Sequence, residues 1–209
     1  MVVMDIGAYV GDFAEIVIEE SGRNEVDTGL HLFEPMEKTF DQLKKKPWGP
    51  GVRLNMLGAS NKTGKQEIHF DREASTLASL YRRDLGDYSM ELNQSATVKL
   101  KRMDEYIEEN DISHIHFVKI DVEGHEVEVM EGFGKYLDGD FIDYIQFEYG
   151  ETFMDSRSFL RDAFRLLEKN NFSVAKLFPN GLEVRKYRRY MENFSYSNYV
   201  GISNSRLNS

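Results

Sequence analysis

The segment Asp121-Val122-Glu123-Gly124-His125-Glu126 places four ionisable side chains within six residues, and Glu148 closes the next apolar run, Tyr144 to Phe147. A core would not choose such groups, because burying unpaired charge is expensive. Together they suit the removal of a proton from an acceptor hydroxyl. His125 fits that task because imidazole titrates near neutral pH. Glu148 fits it if burial or a neighbouring carboxylate raises its pKa. The two stand as alternative general bases, with Asp121 beside them. A divalent cation is a third use, since Asp121, Glu123, His125 and Glu148 offer oxygen and nitrogen ligands. The plainer alternative makes His125 a helix cap and Glu123 and Glu126 first-turn acids that complement the dipole.

A second group lies near the N-terminus. Asp5-Ile6-Gly7-Ala8-Tyr9-Val10-Gly11 follows a short apolar run, and Gly7 and Gly11 permit a tight turn and close ligand approach. It is not the dinucleotide fingerprint, because Tyr9 and Asp12 occupy the later glycine positions. Asp5 and Asp12 make the turn acidic, which disfavours a pyrophosphate and suits a cationic amino or sulfonium group. Glu34 ends the next apolar run, where a carboxylate can accept hydrogen bonds from two ribose hydroxyls. The pair of features points to a nucleoside-type ligand.

The elements that must carry these groups alternate. Strands are expected over Val2 to Ile6, Leu30 to Phe33, Val52 to Leu57, Ile115 to Ile120 and Tyr144 to Phe147. Helices are expected from Asp12, where Asp12 and Glu15 resemble a capping pair, and along the Met36, Phe40, Leu43 face, with Lys44, Lys45 and Lys46 in its last turn. Further helices are expected over Met103 to Glu109, His125 to Leu137 and Phe159 to Glu168, and final strands over Phe172 to Phe178 and Tyr199 to Ile202. The pattern implies an α/β fold, a Rossmann-like doubly wound and mostly parallel sheet with helices on both faces and an antiparallel last strand. Ligands of such sheets bind outside the carboxyl ends of the strands, here Asp5, Glu34, Gly58, Asp121 and Glu148. Residues 61–101 break the rhythm as a hairpin-like insertion, expected to face the substrate. The chain, 1–209, reads as one domain.

Composition narrows the partners. Asp plus Glu outnumber Lys plus Arg by 36 to 26, a net charge of −10, which gives no long-range attraction to nucleic acid or anionic membrane. The exception is Lys176 to Arg189, where Lys176, Arg185, Lys186, Arg188 and Arg189 interleave with Tyr187 and Tyr190. It suits an anionic acceptor or RNA, or a solvated hairpin flank, the commoner case. The absence of cysteine excludes disulfides and thiolate chemistry. No apolar run spans a membrane and no secretory leader is visible, so a cytoplasmic location is expected. Met1 runs straight into the first strand, as if a longer N-terminus were missing. His31 and His116 alternate with apolar residues and read as structural; His69 and His114 read as hairpin and loop.

Val3-Met4-Asp5-Ile6-Gly7-Ala8-Tyr9-Val10-Gly11 resembles motif I of class I S-adenosylmethionine-dependent methyltransferases. Lys119-Ile120-Asp121-Val122-Glu123-Gly124-His125-Glu126 resembles the hallmark of the FkbM-type family, to which Gly58-Ala59-Ser60 and Ile145-Gln146-Phe147-Glu148 are also similar. The resemblance implies S-adenosyl-L-methionine as cofactor and O-methylation of a hydroxyl on a small molecule or glycan. It implies that Asp5, Gly7, Ala8 and Gly11 line the methionine end, Glu34 the ribose, Ala59 and Ser60 the adenine surroundings, and Asp121 the methyl-transfer region. Tyr9 departs from the family's small polar residue, so its ring is expected to pack on the cofactor or narrow the entrance. Rival readings are a nucleic-acid methyltransferase and a cofactor-binding module without catalysis.

Overall fold

In the computed structural model, residues 1–86 and 90–207 are described; residues 87–89 of the insertion and the terminal 208–209 lie outside that description. Five adjacent parallel strands form one side of an eight-stranded sheet: β1 (Val2–Ile6), β2 (Gly29–Phe33), β3 (Val52–Asn55), β7 (Ile115–Ile120) and β8 (Ile142–Tyr149). With β9 (Phe172–Phe178), β10 (Gly181–Val184) and β11 (Ser197–Ser203) the order is β10-β9-β11-β8-β7-β1-β2-β3. The strand β11 is antiparallel to both β8 and β9, so the last strand runs against the parallel set as expected.

Alternation along each strand sorts side chains to two faces. Val3, Leu30 and Leu32 pack with Ala14 of α1 (Asp12–Arg23) and Phe40 and Leu43 of α2 (Glu37–Leu43). Met4, Ile6, Val118 and Ile145 face the other way. They pack with Tyr106 of α3 (Met103–Glu109), Met130 of α4 (Glu126–Gly132) and Phe164 of α6 (Leu160–Lys169), while the short α5 (Thr152–Ser156) follows β8. A sheet with helices on both faces follows, in the doubly wound arrangement the alternation predicts.

The insertion builds a second, three-stranded sheet. Strand β5 (Gly64–Phe70) pairs antiparallel with β6 (Gln94–Arg102), and β4 (Gly58–Ser60) runs parallel to β6. Met36, Ile68, Phe70, Val98 and Leu100 form its own apolar cluster.

Several local expectations change. Gly11, which has no side chain to cap with, is the N-cap of α1, and Asp12 and Glu15 fall inside the helix and pair with Lys46 at 3.3 and 3.0 Å instead of forming a cap. Helix α2 closes at Leu43, so the three lysines follow it. Strand β3 ends at Asn55, two residues short of the expected Leu57, and Gly58–Ser60, expected only to follow it, forms the separate strand β4. Helix α4 ends at Gly132, with a 3₁₀ turn over Gly134–Tyr136 completing the expected span. Strand β8 runs two residues beyond Phe147, so Glu148 sits inside it, opposite Asn198. Strand β10, helix α5 and helix α7 (Asn204–Leu207) are additions to the sequence pattern.

Candidate active site

The carboxyl ends of β1, β2, β7 and β8 open on a cavity of about 270 Å³, walled by Gly7, Tyr9, Glu34, Ala59, Asp121 and Glu148 among others and closed on the far side by the insertion. The first strand-to-helix turn is pinned to β2: the N–H groups of Gly7 and Ala8 both donate to the Phe33 carbonyl, at 3.0 and 2.9 Å. Gly7 and Gly11 have φ of 86° and 89°. A Cβ at Gly11 would also press on the tips of the Leu43 and Trp48 side chains, at 2.7 Å.

Glu34 is buried, with its carboxylate at the cavity wall. One oxygen accepts from Tyr9 N–H at 3.1 Å and the other from Met36 N–H at 2.8 Å. Each oxygen keeps a further lone pair, the pattern a vicinal diol needs. Burial pushes its pKa up to about 7 against those two hydrogen bonds. Removing it in Glu34→Ala should weaken S-adenosylhomocysteine binding by about 1.5–3 kcal/mol, read by calorimetry. The melting temperature should fall too, because Tyr9 and Met36 lose their acceptor. The Tyr9 ring turns away from a free position: its hydroxyl donates to the Ala74 carbonyl at 3.1 Å and clasps the insertion.

Asp5 is fully buried behind this turn, its two oxygens without hydrogen-bond partners and Lys119 Nζ 3.8 Å away. Burial raises its pKa to about 6, with Lys119 opposing. The same Lys119 donates to Asp121 at 2.9 Å. Asp121, Glu123 and Glu148 each offer a carboxylate oxygen within 4.8 Å of the others. Glu123 is further held by Arg83 at 2.7 Å, and burial pushes its pKa to about 7. Glu148 is raised to about 7, first by burial and then by Asp121 and Glu123. Glu126 does not reach this group. It is buried, one oxygen accepting from the N–H groups of Val122 and Gly124, so it braces the turn that carries Asp121 and Glu123.

His125 lines the cavity, but its ring is occupied. Nε2 shares a hydrogen bond with Ser60 Oγ at 2.9 Å and Nδ1 with Tyr81 Oη at 2.8 Å. Burial lowers its pKa to about 4, so the ring is neutral, one nitrogen donating and the other accepting. It is the N-cap of α4 without making a side-chain cap. Sequence reasoning expects this residue to serve chemistry and not the fold. The geometry makes it a tie between β4 and the insertion. His125→Ala should therefore lower stability by about 2–4 kcal/mol, two buried hydrogen bonds plus a cavity, and the melting temperature by about 4–16 °C. A thermal melt within a degree or two of wild type would return the ring to a purely chemical role.

Ser60 stands behind the wall, fully buried against His125, while Ala59 faces the cavity. The contacts that sequence reasoning misses come from the irregular part of the insertion. Ser79 Oγ donates to the Glu123 carbonyl at 2.7 Å, Arg83 bridges Glu123 and Asp155, and Tyr81 meets His125. No local periodicity marks those three residues. Elsewhere, His31 bonds Tyr106 Oη at 2.8 Å and His116 accepts from Val2 N–H at 3.0 Å, both structural as expected. His114 meets Asp143 at 3.2 Å, which Arg206 also grips through two nitrogens. The basic segment lies along the β9–β10 hairpin at the sheet edge, where Arg185 pairs with Glu183 and Lys176 sits over the Phe178 and Tyr199 rings.

The strand order, the glycine-bearing first turn and the acidic cleft define a Rossmann-like domain of the class I methyltransferase type. The family model described as the methyltransferase FkbM domain matches residues 5–174, and the chain belongs to that family, whose cofactor is S-adenosyl-L-methionine. Among curated proteins, the hexuronic acid methyltransferase AglP of Haloferax volcanii is 31% identical over 133 residues, 63% of this chain and 49% of that protein. The chain thus matches about half the length of that relative. Two solved structures are also similar, the CMeT domain of the citrinin polyketide synthase and the plantazolicin methyltransferase BpumL in complex with SAH. Each has 8% identity and a TM-score of 0.45, covering 97% of this chain and 46% and 76% of theirs. Among the described residues no helix is long and apolar enough to cross a membrane.

Proposed function

We propose that this domain methylates a hydroxyl group of a sugar or related small molecule, with Glu148 as the proton acceptor. One observation carries the reading: Glu148 shares a cavity with Glu34, and burial, with Asp121 and Glu123 beside it, raises its pKa to about 7. A base poised near working pH is the condition for efficient proton removal. His125 is a weaker choice because both its nitrogens are already bonded.

The residues present fit the cofactor. The buried Glu34 carboxylate has acceptor capacity left for the ribose diol, and Asp121 in the cavity wall suits a cationic methionine end, whereas Asp5 lies behind the wall and can act on it only from a distance. Leu57, Ala59, Ile68 and Leu100 supply an apolar wall of the kind an adenine needs. When bound, the cofactor supplies an electrophilic methyl group. Asp121, anchored by Lys119, orients the cleft, Glu148 takes the acceptor proton, and the insertion excludes water. The acceptor class is supported by the hexuronic acid named for the archaeal relative.

The test is a tritium-transfer assay from labelled S-adenosylmethionine across a panel of sugars and simple alcohols, run with and without a chelator. Chelator-insensitive transfer to hydroxyl compounds is expected. Activity lost on chelation would favour a cation at Asp121, Glu123 and Glu148, whose mutual distances permit one. Transfer to RNA alone would overturn the reading.

A further inference from the structure

Beside Glu148 an aromatic ring stands in water. Tyr196 immediately precedes β11 and is 71% exposed. Its hydroxyl accepts from Asn198 Nδ2 at 3.3 Å, and Gln146 Nε2 donates to Asn198 Oδ1 at 3.2 Å. Asn198 is the register partner of Glu148 across β8 and β11. Tyr196, Asn198 and Glu148 lie on the same face of the sheet, because alternate residues of β11 and register partners across β8 and β11 share a face. The backbone of Tyr196 lies against Gly150, where an added Cβ would be 3.8 Å from the Tyr196 Cα.

Single exposed rings are common and need no explanation on their own. This one differs in how it is held. Its tip is tied to the amide of Asn198, the register partner of the carboxylate proposed as base, while most of the residue stays in solvent. A tethered phenol offers a large, rigid, amphipathic surface at little entropic cost. The amides of Gln146 and Asn198 continue the same row with donors and acceptors suited to hydroxyls. A flat apolar ring edged with polar groups, ending at a carboxylate, matches a molecule with one C–H face and a rim of hydroxyls.

We propose that Tyr196, with Gln146 and Asn198, is the acceptor subsite and takes a pyranose ring, stacked on the phenol with one ring hydroxyl directed at Glu148. This rests on the reading of Glu148 as the base.

The experiment uses the whole chain and measures KM and kcat separately for the methyl glycosides of glucose and glucuronic acid, with glycerol as a ring-free acceptor. Tyr196→Ala should raise KM for the pyranosides about five- to tenfold, the scale of one lost aromatic contact. It should leave KM for glycerol, S-adenosylhomocysteine affinity and the melting temperature near wild type. Tyr196→Phe keeps the ring and should hold the pyranoside KM within about twofold of wild type. An unchanged pyranoside KM in Tyr196→Ala, or an equal rise for glycerol, would overturn the subsite. A Tyr196→Phe as impaired as Tyr196→Ala would overturn stacking. Glu148→Gln, assayed in parallel, separates the two readings: full turnover there removes the base assignment, while the KM comparison still decides the platform. A wild type that methylates glycerol and no pyranoside would overturn both the sugar acceptor and the platform.

Discussion

Glu148→Gln lowers kcat by about 10²–10⁴-fold, the usual scale for losing a general base, while S-adenosylhomocysteine still binds. The reason lies in the electrostatics of three carboxylates gathered at one cavity wall. Burial is the largest cause of the raised Glu148 pKa, Asp121 and Glu123 add to it, and Lys119 and the Tyr196 phenol oppose it. A base acts in its ionised form, so wild-type kcat/KM should rise with pH up to about 7 and level above it. Because the three groups interact, the apparent value belongs to the cluster. The same shift has a sign for stability. The folded state holds this proton more tightly than the unfolded chain, so the Glu148 contribution worsens as pH rises from about 4.5 to about 7. A neutral glutamine escapes that loss. The melting temperature of Glu148→Gln relative to wild type should therefore climb between pH 5 and pH 8. Full turnover in this variant, at any pH, would leave proximity alone to explain catalysis.

The parts of this site that could be read in the sequence are those fixed by short-range rules. Ile115–Ile120 and Met103–Glu109 match their expected bounds because apolar spacing and the residues that end it are local. The position of Glu34 at the cavity wall was legible because it ends a buried strand, where open α/β sheets have their clefts. Glu148 was legible as a residue but misplaced by its setting: Tyr149 is buried on the opposite face and carries the strand onward, so the carboxylate projects from within β8. The role of His125 was not legible. Its residue type suggests proton transfer, and only the approach of Ser60 and Tyr81, from 65 and 44 positions away, shows that both nitrogens are already committed. Tyr81, Ser79 and Arg83 lie in a polar stretch without period, where partners are set entirely by tertiary contact. Tyr196 had no signal because an isolated tyrosine in a polar run resembles any surface residue.

Gly7→Ala is expected to cost more than any other single methyl added to this site. Gly7 has φ of 86°, and a Cβ there would lie 1.8 Å from the Asp121 carbonyl oxygen. That oxygen belongs to backbone already fixed, since Asp121 N–H donates to the Ile6 carbonyl at 2.9 Å and Ile6 is in register with Ile120. Relief therefore requires the ends of β1 and β7 to separate, which moves Asp121 and the turn that lines the cavity together. Gly11→Ala offers a contrast. Its φ is similar, at 89°, but its nearest contacts, at 2.7 Å, are the tips of the Leu43 and Trp48 side chains. Those can shift, so the cost should stay near the roughly 1–2 kcal/mol of left-handed strain. Gly7→Ala should exceed about 3 kcal/mol, equivalent to a fall of about 6–12 °C in melting temperature for a chain of this size. It should also abolish S-adenosylhomocysteine binding by calorimetry. If it fails to fold, its soluble yield set against that of the milder Gly11→Ala still orders the two positions. A Gly7→Ala protein that melts and binds like wild type would mean the turns after β1 and β7 are not in contact. The acidic cleft would then lose the wall that brings Asp121 to the end of the first turn.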